Sequence, residues 1–456
     1  MKNVNFVVLA AGKGTRMKSS VPKVLHKLAG RSMLRHVIDA TKTVGESKKV
    51  IVTGHGAEQV EETFESADTK FVRQEDQLGT AHAVSMAIPE LCADAIVVVL
   101  YGDVPLIRPV TLQRMLASVN KKSMGLLTIS LDDPDGYGRI VRSADGLIES
   151  IVEQKDATND QCNICEINTG VMALTSLQLR NWLPQISNNN AQGEYYLTDI
   201  IAIARQNGIE VNSINPESVT EVEGVNSRLQ LSQLERAHQL ELAKQLMESG
   251  TTLADPARFD QRGQLSVGTD NFIDINCIFE GNVTIGSNVS IGPNCCIINS
   301  TIGNDVEILA NTIIDSSEVG DSAVIGPFAR IRPGTELAER TKVGNFVETK
   351  KSQVGKGSKI NHLSYVGDSE LGENVNIGAG TITCNYDGVE KHKTLLGDGV
   401  FVGSNSTLVA PITVGNGGFI AAGSTITTKV PKDSLGVGRG KQRNIKGWQR
   451  PIKRED

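Results

Sequence analysis

Leu9-Ala10-Ala11-Gly12-Lys13-Gly14-Thr15-Arg16-Met17 sets small residues and glycines directly after an apolar run, with two cations in the same stretch. Such a turn at the carboxyl end of a strand opens backbone N–H groups toward a phosphate. It lacks the Gly-Lys-Ser/Thr ending of a Walker A loop, and Met17 stands where the dinucleotide fingerprint needs its third glycine. Polar residues gather further on, in Pro22-Lys23-Val24-Leu25, at Gln74, in Gln77-Leu78-Gly79-Thr80 and in Tyr101-Gly102-Asp103. A carboxylate such as Asp103 at the end of a buried strand can hold a hard cation that bridges phosphates. Seven histidines are present, one of them His362 within Lys359-Ile360-Asn361-His362-Leu363-Ser364-Tyr365. Histidine titrates near neutrality and suits general-base work.

The elements that must position these residues follow two grammars. In the first half, residues 4–9, 50–52 and 95–100 are continuous apolar runs, expected as buried parallel strands. Helical spacing over residues 22–41 and 80–91 completes a βαβ pattern with an open, mostly parallel, Rossmann-like α/β sheet. Leu234, Ala237, Leu240, Ala243 and Met247 then predict one helix from Arg228 to Glu248, stopped by Gly250. From Val267 onward aliphatic residues recur every six: Ile273, Phe279, Ile285, Ile291 and Ile297, and again at Leu396, Val402, Leu408, Val414, Ile420 and Ile426. Of the 45 glycines, 28 fall in residues 251–456, many directly after such an aliphatic residue. A period of six is a short strand plus a turn, and three such sides per coil make a left-handed parallel β-helix. Residues 384–393 interrupt the register and are expected as an extruded loop. The expected domains are 1–228, a linker helix 229–249, and a hexapeptide-repeat β-helix 250–456.

The 456 residues suffice for more than one core, and 46 basic against 52 acidic residues leave a net charge of −6 with no run of like sign longer than Lys441-Gln442-Arg443, against nucleic acid as partner. The apolar stretch of residues 6–11 is far shorter than the roughly 20 residues that span a bilayer, so no membrane insertion is expected. Seven scattered cysteines fit a reducing cytoplasm rather than a disulfide framework, and Cys162-x-x-Cys165 lacks a second ligand pair for zinc.

The opening signature, the following Pro22-Lys23 and the Tyr101-Gly102-Asp103 strand end resemble the sugar-nucleotide pyrophosphorylases. The resemblance implies attack by a sugar 1-phosphate on the α-phosphorus of a nucleoside triphosphate, chemistry that needs charge neutralisation more than an acid or base. It implies Arg16 and Lys23 as the catalytic cations and Asp103 with Asn226 as the Mg²⁺ ligands. UTP and the product nucleotide sugar would be held by Leu9, Ala10, Ala11, Gly12, Lys23, Tyr101, Gly102 and Asp103, with Gln74, Gly79 and Thr80 on the uracil. Gly138, Glu153 and Asn168 would hold the sugar.

The hexapeptide half is similar to acyltransferases that use acyl-CoA or an acyl carrier protein, a fold that by itself names no acceptor. The two halves in this order resemble a bacterial bifunctional family that joins a glucosamine-1-phosphate N-acetyltransferase to an N-acetylglucosamine-1-phosphate uridylyltransferase. That resemblance implies His362 as the acetyl-transfer base, and Arg332, Lys350, Tyr365 and Asn376 around glucosamine 1-phosphate. It implies Ala379, Asn385, Tyr386, Ser404, Ala422 and Arg439 around acetyl-CoA, and a homotrimer. The competing expectations are a monofunctional sugar-1-phosphate nucleotidyltransferase whose β-helix is only structural, and a binding protein without turnover.

Overall fold

In the computed structural model the described residues are 3–64 and 69–453. They form two compact units that divide between His238 and Gln239.

In the first unit Val4–Ala10 is buried at every position but the first, as a strand covered on both faces must be. It lies at the middle of a sheet whose order is Glu210–Ile214, Ser123–Ser130, Glu166–Thr175, Ile96–Tyr101, Val4–Ala10, Ser47–Thr53 and Thr69–Arg73. Every neighbouring pair is parallel except the two made by Glu166–Thr175. Alternate residues feed two cores: Val7, Leu9, Val97 and Val99 on one side, Phe6, Val8, Val98 and Leu100 on the other. The mostly parallel sheet expected from the apolar runs is therefore present.

The helix expected over residues 22–41 is shorter. Only Met33–Lys42 is α-helical; ahead of it come the turn Lys23–Leu25 and a small hairpin pairing Lys27–Leu28 with Arg31–Ser32. Ala29 and Gly30 take φ of 47° and 79°, a left-handed pair that makes a tight hairpin turn and cannot continue a helix. The segment 80–91 likewise resolves into the helix Thr80–Ala87 and a single turn, Ile88–Glu90.

One helix, Arg228–Glu248, contains the division between the units. Leu234 packs with Leu28, Met33 and Val225 in the first unit. In the second, Gln239 is fully buried and exchanges two hydrogen bonds of 2.8 Å with the Gln261 backbone, and Ala243 and Leu246 join the core.

That second unit is a parallel β-helix with three faces. Ile273, Ile291, Ile308, Ile325, Val343, Ile360, Ile377, Val402 and Ile420 stack inward on one face through in-register pairings. Each buried aliphatic side chain contributes about 1.5–3 kcal/mol. The aliphatic period runs on through Leu337 and Val343 and lapses at Thr349, which pairs between Ile331 and Val366 and takes an inward position. At one corner Asn276, Asn294 and Asn311 hold φ near 60°, which asparagine tolerates. Phe328, Phe346 and Leu363 continue that corner at φ of 57°, 55° and 49°, where a bulky side chain is strained. His362 precedes the last of them.

Candidate active sites

The first site lies outside the carboxyl ends of the central parallel strands, where open α/β sheets build their clefts. The Gly102 N–H donates to Leu9 O at 2.9 Å, fastening the two central strand ends together. Leu9, Ala10, Ala11, Gly12, Lys23, Gln74, Gly79, Thr80, Tyr101 and Asp103 all line one cleft of about 280 Å³. Gln77 and Glu194 also line it, and Gln77 Nε2 donates to Ala11 O at 2.6 Å, holding the phosphate turn open. Sequence reasoning missed Glu194; it comes from a segment without periodic pattern.

Lys23 reaches the cleft because Gly14, at φ 59°, passes against it: a Cβ on Gly14 would stand 2.7 Å from Lys23 Cβ. The Lys23 ammonium pairs with Asp103 Oδ2 and donates to Asn226 Oδ1 at 3.1 Å. The Val225 N–H, bonded to Asp103 O at 2.9 Å, is what brings the distant Asn226 to this point. Two oxygens thus converge on one cation. Among the described residues no cluster of three His, Cys, Asp or Glu forms a closed metal cage. The donor set suits a hard cation that takes its other ligands from phosphate and water, as Mg²⁺ does. Arg16, on the turn Thr15–Met17, is exposed and outside the cleft lining.

The expected sugar residues come together beside this cleft. The Asn168 N–H donates to Gly138 O at 2.8 Å, and Asn168 Oδ1 accepts from the Gly170 N–H at 3.0 Å, leaving its amide nitrogen to donate. Glu153 Oε1 accepts from Thr198 Oγ1 at 3.0 Å, and a Cβ on Gly138 would lie 3.4 Å from its Oε2. Burial pushes the Glu153 carboxyl above its ordinary range against that hydrogen bond, with Asp156 and Asp199 adding to the rise. Burial pushes the Tyr101 phenol up as well, with Glu153 and Asp103 second.

One segment ties the two ends of the site together. The Tyr195 N–H donates to Leu78 O at 2.8 Å, the Ala81 N–H to Tyr195 O at 2.9 Å, and the Leu197 N–H to Thr80 Oγ1 at 3.0 Å. The next residue, Thr198, holds Glu153. The approach is close enough that Gly79, at φ 118°, would put a Cβ 2.5 Å from Tyr195 O.

The second site is built by register. Ile360, Ile377, Val402 and Ile420 pair coil to coil, so the residues two further on, His362, Ala379, Ser404 and Ala422, stand in one column. Backbone bonds continue it: Gly380 N–H to His362 O at 3.3 Å, Asn405 N–H to Ala379 O at 2.7 Å, Gly423 N–H to Ser404 O at 2.8 Å. At its end Arg439 Nη1 donates to Ala422 O at 2.7 Å. His362 also lines a cleft of about 560 Å³ with Lys342, Asn345, Lys359 and Asn361. Asn345, opposite His362 in the strand pairing, presents Oδ1 to His362 Nδ1 at 2.8 Å. With Nδ1 carrying the proton for that bond, Nε2 keeps its lone pair.

Around the corner Arg332 Nη1 donates to Glu348 Oε1 at 2.6 Å, and Lys350 and Tyr365 occupy the same face, since Glu348 pairs with Tyr365. Lys391 from the extruded loop holds the Lys350 ammonium below its ordinary range, with desolvation and then Arg332 adding to the effect and Asp368 opposing it. Sequence reasoning missed Asn345, which the coil register sets opposite His362, and Lys391, which the extruded loop brings to Lys350. Asn376 lies beside Lys359 on the first face. In the loop Asn385 Nδ2 donates to Asp368, and Tyr386 bridges to Lys391.

A strand-end phosphate cleft followed by a hexapeptide β-helix defines a transferase with two working units. The MobA-like NTP transferase domain matches residues 6–153, and the GMPPB C-terminal domain matches residues 262–354. The chain is 58% identical to the bifunctional protein GlmU of Marinobacter nauticus, over 99% of this chain and 100% of that one. It is 54% identical to that of Cellvibrio japonicus and 52% to that of Stutzerimonas stutzeri, each over 99% of this chain and 100% of the other. A nucleotidyl transferase from Methanothermobacter thermautotroptrophicus superimposes at a TM-score of 0.39 and 20% identity, over 53% of this chain and 100% of its own. The chain belongs to the GlmU family of bifunctional proteins and is an enzyme.

Proposed function

We infer that the two units catalyse successive transfers leading to UDP-N-acetylglucosamine, a precursor of bacterial cell-wall and envelope glycans, in the cytoplasm. In the β-helix the amine of glucosamine 1-phosphate attacks the thioester carbonyl of acetyl-CoA. As the amine attacks, its proton passes to His362 Nε2; the C–S bond breaks and that proton goes on to the departing sulfur, so that CoA leaves as the thiol. In the first unit a phosphate oxygen of N-acetylglucosamine 1-phosphate attacks the α-phosphorus of UTP, and the bond to the leaving pyrophosphate breaks.

The observation that carries the acetyl-transfer half is the column His362, Ala379, Ser404, Ala422 ending at Arg439. Small side chains along a line from a base to a guanidinium suit an extended pantetheine arm with its phosphates at the far end. Asn385 and Tyr386 flank that path. Arg332, Lys350, Tyr365 and Asn376 take the sugar phosphate, where a dianion relieves the crowding of Lys350 by Lys391 and Arg332.

In the first unit Mg²⁺, held by Asp103 and Asn226, would neutralise charge on the triphosphate. Lys23, freed from those oxygens, turns to the phosphates, and Arg16 on its exposed turn serves the leaving group. Leu9 to Gly12 and Gly102 cradle phosphate and ribose, Gln74, Gly79 and Thr80 the uracil, and Gly138, Glu153 and Asn168 the acetylated sugar. Tyr101 closes the wall between them. Homotrimer assembly fits the exposed stack of Phe401 on Phe419, centroids 4.5 Å apart, on a flat face of the β-helix.

The test is one assay with Mg²⁺, UTP, acetyl-CoA and glucosamine 1-phosphate, following thiol and pyrophosphate separately. Both are released, and pyrophosphate requires acetyl-CoA unless acetylated sugar is supplied. Pyrophosphate without thiol would leave the β-helix a structural element only.

A further inference from the structure

Gln74 is 4% exposed and its amide is fully committed on one side. Its Nε2 donates to Gly79 O at 3.1 Å and lies 3.1 Å from His82 Nδ1. A carbonyl oxygen only accepts, so the amide nitrogen must face Gly79, and its second hydrogen then goes to the ring. His82 Nδ1 must therefore carry a lone pair. Gln74 Oε1 accepts no hydrogen bond among the described residues, and it is what Gln74 offers the cleft it lines.

We propose that His82, although it does not line the cleft, is a positioning residue that sets the nucleotide preference by fixing which way the Gln74 amide points. This rests on the reading of the cleft as a UTP site. An outward Oε1 accepts from the N3–H of uracil. Cytosine has a lone pair at N3 and meets Oε1 with repulsion; if the amide turned over, its N–H would suit cytosine instead. Gly79 O and His82 Nδ1 together forbid that turn, and Gly79 is itself the N-cap of the helix Thr80–Ala87 that carries His82. One short segment thus supplies both locks.

The experiment measures kcat/KM for UTP and for CTP with N-acetylglucosamine 1-phosphate in the full chain and in His82→Leu, which keeps bulk without an acceptor, and His82→Asn, whose Oδ1 falls where Nδ1 does. His82→Leu is expected to lose about tenfold with UTP, one hydrogen bond's worth, while CTP holds or gains and the KM for the sugar phosphate is unchanged. His82→Asn is expected to restore the UTP:CTP ratio. An unfolding transition of the first unit at the parent's temperature reports that each variant is folded; should His82→Leu not fold, His82→Ala replaces it. Equal losses with UTP and CTP, or an unchanged ratio, overturn the role of His82. Absence of pyrophosphate release from UTP by the unmodified enzyme overturns the underlying reading instead.

Discussion

The two sites are positioned by opposite means. In the first unit, residues from Lys23, Gln74, Asp103, Glu153 and Asn226 are drawn together by individual hydrogen bonds between loops, such as Val225 N–H to Asp103 O and Leu197 N–H to Thr80 Oγ1. No single rule places them. In the β-helix one rule, the coil register, sets His362, Ala379, Ser404 and Ala422 in line. The first arrangement can be tuned one contact at a time; the second is rigid, and its freedom lies in the loop that breaks the register. The lesson is that cleft chemistry with several charged partners suits loops, whereas an extended co-substrate suits a straight wall.

The comparison breaks at once if the two activities cannot be separated. His362→Ala is expected to lower acetyl transfer by about 10²–10⁴, the usual worth of a general base, and to leave uridylyl transfer intact. Asp103→Ala, which removes one of the two oxygens around the Lys23 ammonium, should do the reverse to a similar extent. Loss of both activities in either folded variant would contradict independent sites. Ile360→Ala probes the register itself: a fully buried aliphatic truncated to Ala costs about 2–5 kcal/mol. Thermal unfolding should show that loss, and thiol release should fail at a lower temperature than pyrophosphate release. Equal heat sensitivity of the two activities would deny that the register positions only the second site.

The same contrast explains what the sequence made legible. The β-helix was readable residue by residue because one aliphatic per side per coil is a local signal, and it lapsed only where Thr349 and Thr383 took inward positions. The phosphate turn was legible because it follows its strand directly. The hairpin before Met33 was not, since left-handed Ala29 carries no mark in its residue type. Asn345, Lys391, His82 and Thr198 were missed for a related reason: each acts through a partner that only tertiary structure or coil register brings near.

Two smaller substitutions sharpen the comparison on each side. Asn345→Leu frees the His362 ring and should cost about tenfold in kcat for acetyl transfer, on the order of one hydrogen bond, with the KM for glucosamine 1-phosphate unchanged. A KM effect instead would make Asn345 a substrate contact. Thr198→Val removes the donor to Glu153 and should raise the KM for N-acetylglucosamine 1-phosphate by about threefold to tenfold. The KM for UTP should move less, because the Leu197 N–H still holds Thr80. A larger change with UTP than with sugar would sink the assignment of Thr198 to the sugar end.

The smallest expected effect concerns stability at Glu153. Its folded-state pKa is raised, chiefly by burial, so the fold favours the protonated acid. That contribution is present below the ordinary glutamate range and is lost as pH rises through the raised value; above it, the ionised carboxylate is a cost to the fold. Glu153→Gln is neutral at every pH and keeps an oxygen for the Thr198 hydroxyl. At neutral pH the variant should therefore unfold at a higher temperature, and the difference should close on acidification below the ordinary range. It should also bind the sugar phosphate more weakly, since a neutral acceptor makes weaker hydrogen bonds to hydroxyls than a carboxylate. A variant less stable than the parent at neutral pH would mean that Glu153 is held by its contacts rather than strained by its burial, and the cleft would then resemble the β-helix more than the contrast allows.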